Sequence, residues 1–165
     1  MKTLKLLSVI IGLSIILFSC GDDNEIDTEK PEIDITIPEA FPTSCNDTIY
    51  FGESFTIKFR LTDNIELGSY SIDIHHNFDH HSHSTEVMEC NLNPKKTPEN
   101  PYILIETYDI PIGKNEYITD LPITIPSSNT SGELYDEGDY HFNLSVTDQE
   151  GWTTQFGIGI KMMHR

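Results

Sequence analysis

The chain has 165 residues, with 10 Lys and Arg against 27 Asp and Glu and a formal charge of −17. That length bounds it to one modest domain, and the acidic balance excludes a nucleic-acid role, because a phosphate backbone demands a basic footprint. The hydrophobic share, 37%, is lean for a globular domain yet above that of a disordered chain.

Residues 1–19 read as a lipoprotein signal peptide. Lys2 and Lys5 form a positive n-region, and Leu6 to Phe18 form an apolar run. That run falls short of the ~20 residues that span a bilayer, which is the pattern of a leader and not of a membrane helix. Its end, Leu17-Phe18-Ser19-Cys20, resembles a bacterial lipobox and implies cleavage before a lipidated Cys20. An ordinary secretory signal cut near Ser19 is the alternative. Residues 20–31 follow as a flexible acidic tether, poor in apolar side chains. Its Asp22-Asp23-Asn24-Glu25 run either resembles the surface-export signal of Bacteroidota-type lipoproteins or is a solvated linker. The expected location is the outer membrane, periplasmic or surface-exposed, with the membrane held through acyl chains.

From residue 32 to 163 alternation replaces any helical period. Ile33, Ile35 and Ile37 make a first strand, and Phe55, Ile57, Phe59 and Leu61 a second. Tyr70, Ile72 and Ile74 make the third, and Ile103, Ile105, Tyr108, Ile110 and Ile112 the fourth. Ile118, Leu121, Ile123 and Ile125 make the fifth, broken by Pro122. Tyr140, Phe142, Leu144 and Val146 make the sixth, and Trp152, Phe156, Ile158 and Ile160 the seventh. Seven short strands predict an all-β, Ig-like antiparallel β-sandwich. Tyr70, Ile72, Ile74, Tyr140, Phe142, Leu144 and Trp152 are the expected core. Asp63 and Asp148, each with a Gly a few residues later, read as Asx-turn residues, with calcium ligation as the alternative.

Cysteine arithmetic leaves two residues once Cys20 is lipidated. Cys45 and Cys90 pair in an oxidising compartment, or Cys90 serves as a soft metal ligand. A long stretch without clear strands, 77–101, carries a possible short strand at Glu86–Met88. Connections of that length in a compact domain are functional or disordered.

The start of this stretch is its most unusual part. His75, His76, His80, His81 and His83 crowd nine residues, and His141 lies far away in sequence. Neutral imidazole is the commonest transition-metal ligand. In a sandwich of this order the third and sixth strands are antiparallel neighbours, which puts His75 and His141 on one outer face as near cross-strand partners. The candidate metal ligands are therefore His75, His80, His83 and His141, with His76, Asp79 and His81 as alternates. Zinc is the first choice by availability and copper by affinity order. A metal-bearing ligand such as haem is a further option. Phosphate loops, nucleophile elbows and serine triads are missing from the sequence, so an enzyme is not expected. The competing class is a structural or adhesive Ig-like module with incidental histidines.

Several of these segments recur together in one family. The lipobox, Ile-His-His-Asn-Phe-Asp-His-His-Ser-His at 74–83, Ile-Thr-Ile-Pro at 123–126, and Tyr-His-Phe with Val-Thr-Asp at 140–148 resemble the lipoproteins grouped as domain of unknown function 4625. That resemblance implies an Ig-like fold and membrane anchoring and supplies no activity. An outer-membrane transporter is the expected partner if the protein serves metal uptake.

Overall fold

The computed structural model describes residues 26–84 and 90–165. The signal peptide, Cys20, the start of the tether and the Glu86–Met88 segment lie outside the described residues. Strands and connections account for everything described, with no helix among them.

The larger layer is a five-stranded sheet. It comprises β2 (Thr48–Tyr50), β10 (Thr153–Met163), β9 (Gly138–Asp148), β5 (Leu67–His76) and β6 (Leu104–Asp109), in that order. All its pairings are antiparallel except β2 with β10. The facing layer is assembled from β1 (Glu32–Asp34), β4 (Arg60–Thr62) and β7 (Glu116–Ile118), together with the pair β3 (Ser54–Ile57) and β8 (Leu121–Thr124). The result is an all-β sandwich.

Ten described strands stand where seven are expected, and each extra one has a cause. The second and fifth expected strands are both split at the same level, into β3 and β4 and into β7 and β8. There Thr119 interrupts the ladder with its side chain. Its hydroxyl accepts a hydrogen bond from the Phe59 amide at 3.0 Å and donates to the Ile57 carbonyl at 2.9 Å. The released Phe59 turns fully into the core, 6.0 Å from the Phe142 ring and 5.7 Å from Phe156. The third extra strand, β2, is only three residues long, too short for a visible alternation.

The core follows the alternation of β5 and β9. Ile74 faces Phe142, Ile72 faces Leu144, and Tyr70 faces Val146 across the ladder. All are buried, each contributing about 1.5–3 kcal/mol by removing its apolar surface from water. Trp152 is a correction: it is 41% exposed, because β10 begins one residue later and the indole Nε1–H instead donates to the Asp27 carbonyl. The apolar phase of the fourth strand also shifts. Leu104 and Tyr108 pack against the core, while Ile105, paired with Asp73, is 71% exposed on the outer face.

Candidate metal centre

Two long neighbouring strands carry the rigid half of the site. His75 on β5 and His141 on β9 are register partners, with ring centroids 5.3 Å apart. Both side chains leave the outer face of the five-stranded sheet, opposite Ile74 and Phe142.

The loop after β5 then folds back over them. The Asn77 amide bonds the Asp139 carbonyl at 2.8 Å, and Phe78 inserts edge-on against Tyr140 at 5.4 Å. Gly138 makes room for this anchor: its φ is +139°, and a Cβ there would meet the Phe78 ring at 3.1 Å. Lys96 closes the other side, its amide bonding the Phe78 carbonyl at 3.0 Å and its ammonium 4.1 Å from the ring centroid. His80 adopts a left-handed φ of 61°, which reverses the chain. His81 and His83 therefore return over the sheet, with ring centroids 4.8 and 4.7 Å from that of His141.

One ring nitrogen each from His75, His81, His83 and His141 lies within 4.8 Å of the others. His75 Nε2 and His83 Nε2 are 3.1 Å apart. A tetrahedral ion with Zn–N bonds of about 2.0–2.1 Å spaces its ligand nitrogens about 3.3 Å apart, so this pair already has coordination spacing.

His80 is the main correction to the expected ligand set. Its turn conformation sends the ring away, where Nε2 lies 2.8 Å from the Asn93 carbonyl. His81, an alternate by sequence, occupies the place expected of it. His76 packs against Phe78, ring centroids 5.0 Å apart, and stays outside the cluster. Asp79 acts one step back, with Oδ1 accepting from His81 Nδ1 at 2.6 Å. Asp73 makes the same contact to His75 Nδ1 at 2.7 Å. Sequence reasoning missed Asp73, although its position two residues before His75 on one strand puts both on one face.

The family described as Domain of unknown function (DUF4625) matches residues 18–163. The chain belongs to that family. No curated protein matches it.

In this DUF4625 domain the two carboxylates set the histidine tautomers. A neutral ring that donates Nδ1–H to Asp73 or Asp79 keeps its lone pair on Nε2. The Asp79 carboxyl is held below its ordinary value chiefly by the bond from His81. His141 is fully buried, and that burial lowers its pKa to about 4. It is thus neutral at physiological pH, as ligation requires. Its Nε2 lies 3.1 Å from the His81 carbonyl oxygen. A groove of about 360 Å³ opens beside the cluster, lined by Ser71, Asp73, His83, Asn143, Ser145 and Gln155.

The far end of the loop is fastened covalently. Cys45 and Cys90 form a disulfide with Cα atoms 5.5 Å apart. The Cys90 sulfur is therefore committed and is not a metal ligand. The bridge lies against Gly159, where a Cβ would come within 2.9 Å of Cys90 Sγ. Lys161 completes the attachment, pairing with the buried Asp139 carboxylate and reaching the Asn91 carbonyl and Asn93 Oδ1, each at 3.1 Å.

Proposed function

We propose that this DUF4625 protein is a membrane-anchored extracytoplasmic lipoprotein that binds a transition metal ion, zinc or copper, through His75, His81, His83 and His141. The carrying observation is the convergence of four imidazole nitrogens within 4.8 Å, two of the rings oriented by carboxylates. Solvated histidines on an acidic surface have no reason to hold that arrangement. Four imidazoles fill a tetrahedral sphere, whereas catalytic zinc keeps one position open, so binding is favoured over catalysis. The crowding also favours a bare ion over haem, whose macrocycle needs space that the four close-packed rings occupy. The lipobox and the disulfide support an oxidising compartment outside the cytoplasm. The proposal extends to a role accessory to uptake through an outer-membrane transporter.

Isothermal titration of the purified protein with zinc, copper and nickel tests this reading. At least one should bind tighter than about 100 µM, a free energy beyond about −5.5 kcal/mol. His81→Ala should weaken binding at least tenfold, while His80→Ala and His164→Ala should match the wild type. No binding by any of the three metals rejects the proposal. A second reading, an adhesive β-module, draws on one observation: Ile103 and Ile105 are 58% and 71% exposed at edge strand β6. A protein of that kind is indifferent to chelators and zinc.

A further inference from the structure

At the opposite end of the β5–β9 ladder, three carboxylates meet. Asp27 comes from the tether, Asp63 from the turn before β5, and Asp148 from the last position of β9. One oxygen from each lies within 4.8 Å of the others. Asp27 and Asp148 are each only 4% exposed.

One oxygen of every carboxylate has work within the protein. Asp27 Oδ1 accepts from the Glu29 amide at 2.9 Å and from Asn64 Nδ2 at 3.1 Å. Asp63 Oδ1 accepts from the Ile65 and Glu66 amides, both at 2.8 Å. Asp148 Oδ1 accepts from the Gly151 and Trp152 amides at 2.6 and 2.8 Å. Those bonds account for the turns. They do not account for the second oxygens, since Oδ2 of all three residues is enclosed without a hydrogen-bond partner. Among the described residues no lysine, arginine or histidine is ion-paired with any of them. Burying one unpaired carboxylate is costly, and three together add mutual repulsion.

We infer that Asp27, Asp63 and Asp148 form a calcium site. A divalent cation among the three Oδ2 atoms removes both costs at once. The donor set is all carboxylate oxygen, with neither nitrogen nor sulfur, which selects a hard cation over zinc or copper. Calcium accepts irregular oxygen cages completed by carbonyls and water, whereas magnesium demands near-ideal octahedral geometry.

The site also has a mechanical consequence. Asp27 belongs to the tether, and its carbonyl already accepts a bond from Trp152 Nε1 at 3.1 Å. Calcium bound there clamps the tether to the sandwich. Residue 27 is seven positions beyond Cys20, a reach of at most about 25 Å at ~3.3–3.6 Å per residue. On a lipidated Cys20, the ion therefore fixes the domain close to the bilayer and limits its orientations.

Trp152 is the chain's single tryptophan, so its fluorescence reports directly on the clamp. Titrating the purified protein with calcium chloride should change that emission with a Kd below about 1 mM, the range of extracellular calcium modules. Thermal unfolding in calcium at ten times that Kd should come about 3–5 °C above unfolding in a chelator. Asp148→Asn should abolish both effects, but Asp148 also holds the β9–β10 turn. Asp27→Asn is therefore the deciding variant, because Asp27 precedes every strand. It should weaken calcium binding at least tenfold with zinc titration unchanged. Neither a fluorescence nor a thermal response in the wild type at about 10 mM calcium overturns the inference. So does an Asp27→Asn protein that binds calcium as the wild type does.

Discussion

His75 and His141 face each other directly across the β5–β9 ladder, with ring centroids 5.3 Å apart. Sixty-six positions separate them in the chain, and only the antiparallel pairing of two long inner strands brings them together. Two of the proposed ligands are thus fixed by the sheet before the loop adds its own. That preorganisation reduces the ordering cost of recruiting His81 and His83.

The carboxylates behind the rings should matter nearly as much as the rings. Asp73→Ala and Asp79→Ala remove the acceptors of the His75 and His81 Nδ1–H groups. Each is expected to reduce metal affinity about 10–100-fold, the usual effect of losing such a partner. Competition titration against a chromophoric chelator measures this. Unchanged affinity in both variants would show that the carboxylates do not orient ligands.

Stability without metal should depend on pH through His141. Burial lowers its pKa from the ordinary 6.5 to about 4. The unfolded chain therefore takes up the proton first as pH falls. The stabilisation is complete above about 6.5 and disappears progressively down to about 4. Its full size is on the order of 3 kcal/mol. His76 is shifted in the same direction, also chiefly by burial. Urea midpoints of the metal-free protein should drop across that window, and His141→Gln should flatten the drop. A wild-type midpoint constant from pH 6.5 to 4 would contradict the burial effect.

The sandwich, the pairing of the third and sixth strands, and the cross-strand histidines were legible because alternation survives wherever one sheet face is buried. Three things were not. His80 and His81 are equivalent by spacing, and only the left-handed turn at His80 decides which ring returns to the sheet. The Thr119 interruption was hidden because a hydroxyl replacing a ladder bond leaves the apolar alternation around it intact. Composition places Asp27 in a tether, yet its burial depends on partners 37 and 125 positions away.

Reduction of the Cys45–Cys90 bridge should loosen the far end of the histidine loop. The two residues are separated by 45 positions, and a loop of that size is worth about 4 kcal/mol in the chain-entropy treatment. Urea unfolding with and without reductant should differ by up to that amount. Zinc affinity should fall as well, because His81 and His83 lose part of their positioning. Equal stability in both conditions would show the bridge to be dispensable.

Anchoring is tested separately. Changing Cys20 to Ser should release the protein from the membrane fraction without altering its metal titration. A variant that still requires detergent for extraction would contradict lipidation at this residue.

X-ray absorption at the zinc edge reads the ligand set itself. The zinc-loaded protein should show about four nitrogen scatterers at ~2.0–2.1 Å with imidazole outer-shell features, and His81→Ala should lose one of them while His80→Ala retains all. A spectrum dominated by oxygen, or one in which His80→Ala rather than His81→Ala loses an imidazole, would contradict a centre built from His75, His81, His83 and His141.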